Sequence, residues 1–430
     1  MFETGCGSAV ITPRLGLQMA GFLGRRTAEG THDDLMAKAV YLADGPKSCM
    51  MFIVVDTLEV ARQFVDEVQR RVQQETGVPA ACCLVAAIHT HSGPAGLGRA
   101  TLPGAAKGSE VFGTFDERLF ERTVSGCVAA ARKARRWARE GTIRSGTTNM
   151  QQPICGNRRS RTTEQVQMRV LEVETRTRCA VIYNLGCHPT VLHEGNRLYS
   201  ADFPGLAASV LSLLEPSVTM PVFLNGAAGD MSTRFYRQSS DFAEVERIGS
   251  IVAESVAASL DALEPMKGPF PVRAAQVPLR LKAKQFPSAQ ELERRIADTR
   301  KKLERARLER VQNLRPLESA VEGLTFAATM AGRTGRLENI DSRLSLVRFG
   351  DILVAGIPGE LFSSLGNDIR AAFPDQVVLI AGYCGDYMGY IPDAAAYDEG
   401  GYEAFTTFIA KGEGERLRDA AIDGLRALLT

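Results

Sequence analysis

The 430-residue chain carries 51 Lys+Arg against 50 Asp+Glu, a formal net charge of +1, and is 45% hydrophobic. This composition excludes disorder and fibrous structure and leaves ample length for a large core. The balanced charge gives no footprint for nucleic acid or for an anionic membrane surface, so the expected partner is a small molecule. No stretch approaches the ~20 apolar residues of a membrane span. The opening MFETGCGSAVITP lacks a basic start followed by an apolar run, so no stable membrane association is expected. Nine scattered cysteines with no Cys-x-x-Cys pair read as buried, reduced thiols of a cytoplasmic protein.

Short β-branched and apolar runs alternate with amphipathic stretches, which predicts an α/β fold of layered mixed β-sheets flanked by helices. In chain order, strands are predicted over 39–42, 51–55, 84–88, 180–184, 221–224, 346–349, 352–355 and 377–381. Helices are predicted over 59–76, 125–137 and 241–263. In the first of these Val60, Phe64, Val65, Val68 and Val72 share one face, and Gly77 with Pro79 stops the helix. Ser288 and Glu291 have capping-box spacing ahead of a segment reaching 313 that is dense in Arg, Lys and Glu, which reads as one long solvated helix. Its interleaved acids fit a surface or dimer contact better than nucleic acid, and the reading leaves room for a homo-oligomer. With no internal repeat and no long linker, residues 1–430 are expected to form a single domain with a helical insertion at about 285–335.

Chemistry collects where apolar strands end. LVAAI leads to His89, AVIYNLGC to His188, PVFLNGAAGDM to Ser232, DILVAGIPG to Glu360, and VVLIAGYCGDYMG to Tyr390. Strand ends are where layered α/β proteins build their sites. In extended backbone His89 and His91 project to the same side, so both can serve one site. His89, His188 and Glu360 suggest a His2Glu zinc site, since zinc favours imidazole nitrogen with carboxylate or phenolate oxygen. The alternative for His-x-His alone is a packed, hydrogen-bonded pair. The glycine-bearing turn Asn225 to Ser232 suits oxyanion stabilisation, or else Ser232 is the N-cap of the next helix. Arg158 offers a guanidinium to a carboxylate or oxyanion, and a surface charge is the alternative. Tyr383, Tyr387, Tyr390, Tyr397 and Tyr402 cluster, and core packing accounts for most of them.

On these residues the chain resembles the catalytic N-terminal domain of the neutral/alkaline, non-lysosomal ceramidases, which are zinc-dependent amidases. The matching blocks are AVITPRLGLQMAGF, HTHSGPAG, GNRR, GCHPT, NGAAGDMS, IPGE and YIPDAAAYDEGGYE, in the family's order. The resemblance implies one Zn2+ per chain held by His89, His188, Glu360 and Tyr390. It also implies that His91 and Arg158 lie beside the metal, that Ser232 is the active-site serine and that Tyr402 is a second active-site tyrosine. The family's full-length members carry a further C-terminal β-sandwich. Where the family's serine block usually reads Gly-Asp-Val-Ser-Pro-Asn, this chain has Met231, Ser232, Thr233 and Arg234, and Pro189 follows His188 where Ala is usual.

The implied activity is hydrolysis of a C–N amide bond of an N-acyl compound, with a soluble small molecule rather than ceramide as substrate. A zinc esterase or lactonase, a true minimal ceramidase, and an inactive metal-stabilised binding protein are the competing readings.

Overall fold

The computed structural model describes residues 1–45, 47–98, 111–160, 166–331 and 337–430. Runs such as Cys49–Val55, Cys83–Ala87 and Cys179–Leu185 are buried along their whole length, as expected of strands covered on both faces. They belong to a nine-stranded mixed sheet. Its order is Val218–Asn225, Cys179–Leu185, Gln167–Thr175, Arg139–Asn149, Phe2–Val10, Met36–Asp44, Cys49–Val55, Cys83–Ala87, with Glu264–Pro265 paired on Arg139–Asn149. The outermost pair at each end is parallel and the strands between are antiparallel.

Those two parallel ends meet. Val218–Asn225 packs against both Cys49–Val55 and Cys83–Ala87, and Asn225 Nδ2 donates to the Ile88 carbonyl at 2.9 Å. A second sheet, in the order Val272–Lys282, Asn339–Phe349, Ile352–Gly356, Val377–Ala381, lies alongside and also ends in a parallel pair. The strand ends that carry chemistry are thereby drawn to one place.

Helices cover the sheets. Arg62–Thr76 and Glu117–Arg136 pack together, as do Asp202–Leu214 and Phe242–Leu260, while Ser363–Ala371 and Glu413–Leu429 pack against each other beside the second sheet. Gly77 closes the first helix in the left-handed conformation, at φ 76°. Asp116 caps Glu117–Arg136 by accepting from Leu119 N, so this helix begins well before the predicted 125.

The helical insertion interrupts a hairpin, because its flanking strands Val272–Lys282 and Asn339–Phe349 are antiparallel neighbours. Ser288 caps its first helix by accepting from Glu291 N at 3.2 Å. The solvated helix expected over 288–313 is Ala289–Leu308, and a second helix that was not expected, Arg315–Ala331, follows it, with Arg310 at φ 55° in the turn between them. Leu292, Leu324 and Ala327 form the small core that binds the pair. Residues 332–335 of the predicted insertion lie outside the described residues. Among the described residues no helix is long and apolar enough to cross a membrane. All nine cysteines are free thiols, and all but Cys82 are buried.

Candidate metal centre

His89 follows the strand Cys83–Ala87, and His188 follows Cys179–Leu185. Extended backbone does not explain the His89/His91 pair, because His89 sits at φ 72°. The two rings still meet, with their Nε2 atoms 3.2 Å apart. His89 and His188 cross edge to face at 4.8 Å between centroids, and the three imidazoles His89, His91 and His188 offer nitrogens that all lie within 4.8 Å of one another. Loops can come this close where side chains are missing: a Cβ on Gly186 would stand 2.6 Å from the Ala227 carbonyl oxygen, and one on Gly229 would stand 2.4 Å from that of Glu360.

Glu360 enters the cluster from the second sheet. Its Oε2 lies 3.0 Å from His188 Nε2 and 3.4 Å from His89 Nε2, yet this buried oxygen accepts no hydrogen bond. The reason is visible in the outer partners of the rings. His89 Nδ1 lies 2.8 Å from the Leu58 carbonyl and His188 Nδ1 lies 2.6 Å from that of Ala228. A carbonyl only accepts, so each Nδ1 carries a hydrogen, and a ring protonated there alone turns a lone pair at Nε2 toward Glu360. Burial and then Arg158 push His188 down to about 4, so its ring is neutral at pH 7. Two ring nitrogens and a carboxylate oxygen that accepts no hydrogen bond therefore converge on one point. That donor set fits a divalent cation, and nitrogen with carboxylate oxygen suits zinc.

The remaining site residues surround this point. Tyr390 is in register with Glu360 in a two-residue parallel pairing, and its ring stacks toward His188 at 6.4 Å. Burial and Glu360 push its phenol well above the ordinary value. Tyr402 meets Tyr390 edge to face at 6.0 Å. One Arg158 guanidinium nitrogen lies 3.4 Å from both ring nitrogens of His188, and the group donates to the Gly229 carbonyl and ion-pairs with Glu403 at 3.1 Å. Ser232 is buried and forms a parallel bridge with His188. Its Oγ accepts from Arg234 N at 3.3 Å, so the serine caps a single 3-10 turn rather than a helix, and its own hydroxyl proton remains free to donate. The turn is held by Asp230, which accepts from Asn157 Nδ2 at 2.6 Å and Ser363 N at 2.7 Å.

The eight residues given a role by the resemblance thus gather around one cluster, whereas Tyr397 donates its hydroxyl to the Ile409 carbonyl at 2.7 Å. Four more belong with them. Tyr387 donates its hydroxyl to Glu360 Oε1, Tyr383 stacks on His89 at 4.0 Å, Glu403 neutralises Arg158, and the Arg26 guanidinium holds the His91 carbonyl at 2.7 Å. Tyr383 and Tyr387 stood in the tyrosine cluster but were assigned to packing. Glu403 closes the matched block YIPDAAAYDEGGYE but was given no role, and Arg26 gave no signal beyond its nearness to the first block.

Layered mixed sheets that converge on a buried three-histidine, one-carboxylate cluster define a candidate metalloenzyme. Residues 2–234, more than half of the chain, match the family model for the N-terminal part of the neutral/alkaline non-lysosomal ceramidases. The chain belongs to that family. Its fold is similar to that of the neutral ceramidase from Pseudomonas aeruginosa, with a TM-score of 0.76 at 19% identity over 99% of this chain and 74% of that one. It is likewise similar to a ceramidase complexed with C2, with a TM-score of 0.77 at 18% identity over 100% of this chain and 75% of the other. No curated protein sequence matches the chain.

Proposed function

We propose that this protein is a zinc-dependent amidohydrolase that cleaves the C–N bond of a soluble N-acyl compound, with residues 1–430 acting as one catalytic unit. The observation that carries the reading is the convergence of the His89 and His188 Nε2 lone pairs on the unpartnered Glu360 Oε2. His89, His188, Glu360 and Tyr390 would hold one ion. When bound, zinc supplies Lewis-acid polarisation of the scissile carbonyl and a water acidified toward pKa ~7.

The chain's own residues do the rest. With His89 Nδ1–H given to Leu58, the proton between His89 and His91 belongs on His91 Nε2, beside the cluster. Once the His89 lone pair is engaged, that Nε2–H would be free to hydrogen-bond to the substrate and orient it at the cluster. Arg158 is kept cationic because Glu403, Tyr390 and Glu360 outweigh the effect of burial, and it faces the cluster as a donor to developing oxyanion charge. Tyr402 and the Ser232 hydroxyl supply further donors. Tyr387 and Tyr383 orient Glu360 and His89 and exclude water. Nine free cysteines suit a reducing compartment, and we assign the protein to the cytoplasm.

The test is a matched series of N-acyl amine, the corresponding ester and a short-chain ceramide, assayed with metal-loaded protein. The water-soluble amide is expected to give the highest kcat/KM. A wide margin for the ester would make the protein an esterase, and one for ceramide would make it a minimal ceramidase. In the same assay Ser232→Ala is expected to retain its metal and lose on the order of 10²-fold in turnover, as for loss of an oxyanion donor. Full activity would leave Ser232 as a turn-capping residue alone.

A further inference from the structure

Two residues beyond Ser232, where this chain departs from the family's serine block, stands Arg234. It occupies the 3-10 turn Thr233–Phe235, whose first residue, Thr233, is buried next to Ser232. Its backbone N–H is used on Ser232 Oγ, but among the described residues nothing hydrogen-bonds or ion-pairs with its half-buried guanidinium. The neighbouring arginines are all engaged: Arg158 with Glu403 at 3.1 Å, Arg315 on the inserted helix with Glu322 at 2.8 Å, and Arg237 with the Thr190 carbonyl at 2.6 Å. Arg234 is therefore the guanidinium left over. Its environment is electropositive: burial first, then Arg158 and Arg315, bring it down to about 10, with Glu403 opposing them. A half-buried, unpaired cation is costly to maintain, and it is satisfied by an incoming anion that presents two oxygens to the planar fork.

We propose that Arg234 binds a carboxylate carried by the amide substrate, and so selects acidic N-acyl compounds over neutral ones. This rests on the amidohydrolase reading for its catalytic consequence but not for the binding itself. The Arg158 and Glu403 charges cancel, so the surplus positive charge lies at Arg234, beside the serine turn. The inserted helix Arg315–Ala331 closes over the same region, since Gly323 packs so tightly on Tyr402 and Phe405 that a Cβ there would stand 3.2 Å from the Tyr402 Cα. Charge on the substrate thus meets its counter-charge where solvent is partly excluded, which strengthens the pair.

The experiment uses two matched pairs of probes with the metal-loaded full chain. N-acetyl-alanine against N-acetyl-alaninamide places the carboxylate on the amine side. An N-alkyl succinamic acid against its succinamide places it on the acyl side. Wild type is expected to favour the acid of one pair, which identifies the side. Arg234→Gln is expected to reduce that acid-to-amide ratio of kcat/KM by about 10- to 100-fold, the range for a charged hydrogen bond, and Arg234→Lys to retain part of it. Calorimetric binding of the same four compounds is measured alongside. A charge preference in binding that disappears in Arg234→Gln supports the proposal even where no probe is hydrolysed, an outcome that would count against the amidohydrolase reading alone. Equal treatment of acid and amide by wild type in both pairs, or a ratio that Arg234→Gln and Arg234→Lys leave unchanged, overturns it.

Discussion

Replacing Glu360 with Gln is expected to empty the metal site while leaving the metal-free protein as stable as wild type, or more so. In the metal-free wild type the buried Glu360 Oε2 faces two imidazole Nε2 atoms at 3.0 and 3.4 Å and accepts no hydrogen bond. The Gln side chain places an NH2 group among those lone pairs and satisfies them without a cation. Removing the buried charge also removes its desolvation cost. Wild type should bind about one zinc per chain and gain thermal stability with free zinc, by about 2.7 kcal/mol at a hundredfold excess over Kd. Glu360→Gln should bind little and gain nothing. His188→Ala should lose metal and activity as well, but it also opens a cavity and strands the Ala228 carbonyl, so its metal-free form should melt lower than wild type. Metal analysis and melting curves with and without zinc read all of this. Normal zinc content in Glu360→Gln would place the metal elsewhere.

Much of this arrangement was legible in the sequence because the strand ends are legible. Continuous apolar runs such as AVIYNLGC and LVAAI announce buried parallel strands, and in such layered folds the residue just past the run enters the common site. The grouping of His89 with His91 was right although its reason was not. Period-two projection requires extended backbone, whereas His89 occupies the left-handed region, which costs a non-glycine residue ~1–3 kcal/mol and recurs at functional sites. No local pattern encodes that strain. Tyr387 was missed because its bond to Glu360 joins residues 27 apart through two loops from neighbouring parallel strands, and such a contact exists only in the folded chain. Glu403 had a usable signal: once Arg158 is assigned to a buried site, a carboxylate must accompany it, and Glu403 lies next to the matched Tyr402. The second inserted helix was legible in principle, since Leu324 and Ala327 lie one turn apart on the face that meets Leu292. It was missed because the expected helix was ended at 313 and the apolar face beyond it was not followed.

Arg158→Met is expected to keep the metal, lower kcat by on the order of 10²-fold to 10³-fold, and destabilise the protein. The two losses have different origins. Catalysis suffers because the guanidinium beside the His188 ring is the permanently charged donor available to developing oxyanion charge. Stability suffers because Glu403, only 7% exposed, is left without its partner at 3.1 Å. Breaking a buried pair in this way typically costs about 3–5 kcal/mol. Removing the second charge separates the effects. The double variant Arg158→Met with Glu403→Leu replaces a buried ion pair by apolar side chains, so stability should return to near the wild-type value, while kcat stays as low as in Arg158→Met alone. Glu403→Leu by itself should be the least stable of the three, because it strands the guanidinium against Arg234 and the cluster histidines with no carboxylate to neutralise it. Denaturant unfolding, metal content and kcat measured on the same preparations decide the matter. If the double variant regains activity together with stability, Arg158 supports the fold and contributes no charge to the reaction. If kcat remains low at wild-type stability and full metal content, the guanidinium acts on the reacting carbonyl.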